Sequence, residues 1–132
     1  STMGLLKHVI LPYFAVFHLF TVVCMLPNFR TSFVAMAYHK EDELTYMEHH
    51  LLDAAAGFHA AMAFACLMGL SSETDRFRGR VIVMEFILWF LDWYGSLQVS
   101  EIDSSVMAVN LSISVIATFI HYFREPKDKS KE

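Results

Sequence analysis

Glu85 and Asp92 stand seven residues apart inside RVIVMEFILWFLDWYGSLQVSE, residues 80–101, a run otherwise apolar enough to lie in hydrocarbon. A spacing of seven places both carboxyls on one helix face, in line with Trp89 and Ser96. An unpaired carboxylate at the centre of a bilayer costs at least about 2.5 kcal/mol, so each acid must be protonated, paired or turned toward water. Paired with an imidazole in a low dielectric, such an acid is the raw material of an acid–base site.

Two histidines have the depth for it. At 1.5 Å per helical residue, Asp92 lies about 18 Å and Glu85 about 8 Å from the cation-rich end of their run, and His18 lies about 17 Å from the same side. His59 lies about 14 Å from the opposite side, so it too reaches the midplane. This counting sets Asp92 against His59 or His18. In the last apolar run Asn110, Ser114, Ala117 and His121 form one stripe, with Asn110 near the level of Asp92 and His121 near that of Glu85. Ala55, His59, Ala63 and Cys66 form a stripe of mostly small residues that permits close helix approach.

The seam made by Glu85, Asp92, Asn110, Ser114 and His121 admits three readings. Its members hydrogen-bond between helices and fix their register. Or Asp92, Glu85, His59 and His18 are a catalytic relay acting on a lipid, a sterol or a proton. Or His18 and His59 are cofactor-binding residues, axial ligands of a haem or a chlorophyll.

A second cluster, YHKEDELTYMEHHLLD, brings His39, Glu43, Glu48, His49, His50 and Asp53 together. His50 with Asp53, or His49 with Asp53, offers a divalent metal two ligands from one turn. The spacing matches neither HExxH nor a paired ExxH pattern. An acidic helix start, with carboxylates complementing the helix dipole, explains the same residues.

The elements that carry these residues follow from composition. Of the 132 residues 55% are hydrophobic, with 12 Phe and 8 Met, and charged residues reach only 18%; mean hydropathy is +0.41. That is more apolar than an ordinary soluble domain. The charges fall at the ends of apolar runs, as in spans joined by loops. Four runs have the roughly 20 residues needed to cross the hydrocarbon: residues 5–26, 50–70, 80–99 and 104–123, followed by a charged tail, 124–132. Pro27 and Asn28 close the first; Ser71 and Ser72 close the second; residues 101–103 turn between the last two. Short connections force antiparallel neighbours. The expected fold is all-α: a polytopic membrane protein, one domain, a four-transmembrane-helix antiparallel bundle with a short interfacial helix after the first span, where Phe29, Phe33, Met36 and Ala37 recur at helical spacing.

Eight cations, Lys7, Arg76, Arg78, Arg80, Arg124, Lys127, Lys129 and Lys131, gather on one side, against Arg30 and Lys40 on the other. The positive-inside rule then puts both termini on the cytoplasmic, matrix or stromal side. A chain beginning Ser-Thr is either a processed product, which would suit a mitochondrial inner or thylakoid membrane, or carries a scar left by recombinant cloning. The net charge of -4, with no basic stretch interleaved with aromatics, argues against nucleic acid as a partner. Cys24 and Cys66, inside apolar runs and without CxxC spacing, read as small buried hydrophobes.

The order of elements, a first span, a longer polar connection, then AAAGF at residues 54–58 opening the second span and two short-looped spans after it, resembles the four-helix scaffold family of sterol biosynthesis in spacing alone, over most of the chain. The expected function is a small accessory or scaffold subunit of a larger membrane complex, respiratory or photosynthetic, with other membrane subunits and structural lipids as partners. The alternative is a small membrane enzyme or transporter using the intramembrane acids and histidines.

Overall fold

The computed structural model describes residues 2–99 and 102–124, with side chains described for 4–99 and 102–123. Glu101 and tail residues 125–132 lie outside them. Five helices follow one another: α1, Leu6–Met25, continuing from a first turn at Thr2–Leu5; α2, Arg30–Tyr38; α3, Tyr46–Ser71; α4, Asp75–Ser96; and α5, Ser105–Phe123. Among the described residues every regular element is helical.

Local chemistry sets the boundaries. Pro12 lacks an N–H, and its ring would clash with the carbonyl four residues earlier. The helix opens into a wider π-turn over Leu6–Ile10, immediately before it. α1 stops at Met25 because Leu26 precedes Pro27, whose ring disfavours helical backbone at its predecessor; Leu26 is extended, at ψ 150°. α3 begins four residues before the expected span, at a capping box in which Glu48 N–H donates to Thr45 Oγ1 and Thr45 N–H donates to the Glu48 carboxylate. The expected short helix after the first span is α2, tied down by Arg30. That guanidinium, 4% exposed, donates to the Met25 carbonyl (3.0 Å), the His49 carbonyl (3.3 Å) and the Asp53 carboxylate.

Among the described residues three helices, α1, α3 and α5, are long and apolar enough to cross a membrane. The expectation of four spans is narrowed accordingly. α4 has 22 residues, a spanning length, but carries Arg76, Arg78, Arg80, Glu85 and Asp92, so its composition does not mark it as a span. It also starts at Asp75, five residues before the expected boundary, and ends at Ser96.

Packing joins the helices chiefly as two pairs, α1 on α3 and α4 on α5, closed by α3 against α4. Only Ser72, Glu73 and Thr74 connect α3 to α4. Arg78 clamps that turn: its side chain, buried, donates to the Gly69 carbonyl (3.1 Å), the Ser72 carbonyl and Asp75 (2.6 Å). Beside an apolar core that includes Leu6, Leu11, Phe14, Val81 and Ile82, the bundle buries polar side chains and exposes large apolar ones. His18, Glu85, Asn110 and Ser114 are 0% exposed while Val16, Phe20, Phe64, Leu91 and Phe123 are at least 61% exposed. Apolar side chains facing out and polar ones facing in suit a protein whose solvent is lipid.

Candidate functional site

The centre of the bundle is the Glu85 carboxylate. α1 brings His18, α3 brings His59 and Cys66, and α4 brings Trp89 one turn after Glu85 itself. Oε1 accepts from His18 Nε2 at 2.7 Å and from Cys66 Sγ at 3.3 Å, and Oε2 accepts from Trp89 Nε1 at 2.9 Å. His18 is held on both edges, since its Nδ1 shares a hydrogen bond with His59 Nδ1 at 2.8 Å. Its ring stacks on Trp89 at 5.8 Å between centroids and 17° between planes, and Phe14 and Phe17 flank it. The side chains of His18 and Glu85 are both wholly buried.

These hydrogen bonds limit where protons reside. With His18 donating from Nε2 to an ionised Glu85, one proton lies between the two Nδ1 atoms. If His18 owns it, His18 is an imidazolium paired with Glu85, and neutral His59 carries its hydrogen on Nε2. If His59 owns it, His18 is neutral and His59 Nε2 is a bare acceptor. A proton added at His59 Nε2, followed by transfer from His59 Nδ1 to His18 Nδ1, converts the second state into the first. The trio can therefore take up one proton at its His59 edge and store it beside Glu85.

His59 borders a groove. A cavity of about 590 Å³ between α3 and α4 is lined by Ala55, Phe58, His59, Met62, Met84, Ile87, Leu88, Leu91 and Asp92. His59 stands on one wall and Asp92 on the other, with no hydrogen bond between them among the described residues. On α2, burial first, and then the Asp92 charge, push the Tyr38 phenol above its ordinary pKa.

The pairing thus differs from the depth count, which sets Asp92 against His18 or His59 and Glu85 against His121. The helix carrying the acids begins at Asp75 rather than Arg80, which sinks Glu85 by five residues, about 7.5 Å. Glu85 then meets His18, and Asp92 moves on past the histidines. His121 sits elsewhere, with its ring over Gly79, where an added Cβ would lie 2.1 Å from His121 Nε2. Asn110 accepts from the Tyr13 hydroxyl through Oδ1 at 2.7 Å, and Ser114 donates to the Leu111 carbonyl of its own helix at 2.7 Å. Both are buried on α5, but neither joins the Glu85 network. Sequence reading passes over Tyr13, Arg30 and Arg78 as polar partners; a phenol inside one apolar run and two cations bordering such runs are the signal available.

At the second cluster the cation present is a guanidinium. Arg30 donates to His49 Nδ1 at 3.1 Å and to Asp53, while His50 is exposed. Among the described residues no group of three His, Cys, Asp or Glu side chains is arranged to hold a metal. The two Nδ1 atoms meet at 2.8 Å, closer than the about 4 Å between two nitrogens on opposite sides of one metal at about 2.0–2.1 Å per bond. No family model, curated protein or solved structure matches this chain.

Proposed function

We propose that this chain is a small integral membrane subunit, a four-helix bundle in which α4 is the fourth span, serving as an accessory or scaffold component of a larger membrane assembly. The observation that carries the reading is the Glu85 network. One buried carboxylate takes donors from α1, α3 and α4, with both oxygens engaged. A fully satisfied buried network specifies one helix register and excludes others. Within the bilayer most charges of α4 are then accommodated: Arg76 and Arg80 sit in its first turns, Arg78 is clamped by the α3 end and Glu85 is enclosed, while Asp92 faces the groove without a partner among the described residues. The outside offers apolar side chains to lipid and to neighbouring subunits, and the short connections leave little mass outside the membrane. The cation-rich end, with both termini, faces the cytoplasm, matrix or stroma.

Purification from native membranes in mild detergent tests this. Stoichiometric copurification with other membrane subunits is the expected result; recovery as a lone monomer or homodimer overturns it.

A second reading rests on the His59 member of the network, which borders the groove. On that reading the trio is a proton relay for a lipophilic substrate, moving protons at His59 Nε2 while Glu85 and His18 hold the charge. His59→Ala separates the two: normal assembly with lost turnover in the parent pathway favours the relay, and lost assembly favours the scaffold.

A further inference from the structure

We propose that the groove between α3 and α4 is a binding site for a lipophilic amine, a long-chain molecule whose protonated head is received by Asp92 and whose tail lies along the apolar walls. The proposal goes beyond the scaffold role and rests on α4 lying in the bilayer as the fourth span.

Charge is the first argument. Among the described residues no hydrogen bond or ion pair reaches the Asp92 carboxylate, and its electrostatic neighbour, Tyr38, is a neutral phenol at ordinary pH. Among the described residues the buried charges Glu85, Arg30 and Arg78 are answered by His18, Asp53 and Asp75, whereas Asp92, half-buried at the groove, has no such partner. An acid so placed is protonated, turned toward water or paired with a cation from outside the chain; a lipophilic ammonium supplies that cation and lies on the apolar walls. The remaining polar group in the groove, His59, has Nδ1 occupied by His18, which leaves Nε2 as an acceptor for a second ammonium hydrogen whenever His59 carries its proton on Nδ1.

Shape is the second. At about 590 Å³ the cavity is of small-molecule size, within the roughly 300–1,000 Å³ of known ligand sites. Met62, Met84, Ile87, Leu88 and Leu91 make it apolar along its length. Phe58 presents an aromatic ring, half exposed, of the kind that attracts an ammonium. Ala55 leaves head room: contact between His59 and Trp89 in antiparallel helices brings Ala55 within a turn of the level of Asp92.

A photoreactive, alkyne-tagged hexadecylamine, compared with the matching hexadecanol, tests the site in phosphatidylcholine nanodiscs carrying the full chain. The amine is expected to label peptides of α3 and α4 that line the groove, with the alcohol at least about tenfold weaker. Asp92→Asn should bring amine labelling down to the level of the alcohol. Equal labelling by the two probes, undiminished labelling of Asp92→Asn, or labels confined to other helices would overturn the proposal. If Asp92→Asn loses its helical circular dichroism, Ala55→Phe decides with the acid intact: filled head room should abolish amine labelling, and unchanged labelling sinks the idea.

Discussion

His18 Nε2 lies 2.7 Å from Glu85 Oε1, and neither side chain has any exposed surface. A histidine and a glutamate 67 positions apart, on helices that cross the same layer, are thereby committed to one another. Everything polar at that level takes its place from this contact. Cys66 and Trp89 complete the carboxylate, and His59 completes the imidazole.

Removing the carboxylate should therefore cost more than removing any one of its donors' weaker bonds. Glu85→Ala strands His18 Nε2–H, Trp89 Nε1–H and the Cys66 thiol, and breaking a buried pair in this way costs about 3–5 kcal/mol. Glu85→Gln keeps an acceptor oxygen, and His18 can change tautomer to accept from the amide. A loss of about 1–2 kcal/mol is expected, the range of single hydrogen bonds between membrane helices. Equilibrium unfolding in mixed micelles measures both. Equal losses for the two variants would show that volume, not hydrogen bonding, is what Glu85 supplies.

The two histidines should separate in the same assay. His18→Ala removes the central member and leaves Glu85 buried without its base, so it belongs with Glu85→Ala at about 3–5 kcal/mol. His59→Ala leaves every donor to Glu85 in place and opens a site already bordering the groove. About 1–2 kcal/mol is expected. Were His59→Ala the more damaging of the pair, Glu85 would not be the centre of the network.

Much of this is legible in the sequence, and the failures have one cause. Apolar run lengths locate α1, α3 and α5, and Phe29 to Ala37 announce α2. Of the polar residues placed inside the four apolar runs, His18, His59, Glu85, Asn110 and Ser114 are buried, whereas Asp92 and His121 are only half-buried. The pairing does not follow, because a depth counted from Arg80 treats a cation as the mark of the water boundary. Arg78 and Arg80 instead lie within α4, and Arg78 is buried by donating to the carbonyls of Gly69 and Ser72. An arginine satisfied by backbone carbonyls at a helix end can enter the bundle, and hydropathy has no way of seeing the carbonyl. The same blindness hides Arg30, whose partners Met25, His49 and Asp53 lie on α1 and α3 rather than on its own helix.

Gly79 and His121 should show strong mutual dependence. A Cβ at Gly79 would meet His121 Nε2 at 2.1 Å and Cδ2 at 2.6 Å, so Gly79→Ala must push the imidazole off the α4 backbone. Overpacking of this kind costs about 1–3 kcal/mol. With His121→Ala already present the space is vacant, and Ala at 79 should be nearly neutral or favourable through helix propensity. A double-mutant cycle reads the coupling, expected at about 0.5–3 kcal/mol. Additive effects would mean that the two residues do not touch.

The start of α5 supplies a dependence on pH. Asp103 Oδ1 accepts from the Ser105 N–H at 2.9 Å and from the Ser105 hydroxyl at 2.6 Å. The side-chain bond first, the backbone bond next and the nearby His39 last hold the exposed carboxyl below its ordinary pKa. A carboxyl whose folded pKa is depressed gives up its proton more readily folded than unfolded. Its contribution is complete above the unfolded pKa and disappears as pH falls through the folded one, so the first turn of α5 should fray only in the acid range. Amide hydrogen exchange at Ser105 to Ala108, corrected for the intrinsic pH dependence of exchange, should lose protection on acidification in the wild type. In Asp103→Ala that protection should be low at every pH. Protection in the wild type that does not change through the carboxylate range would mean that the Ser105 bonds do not hold this turn.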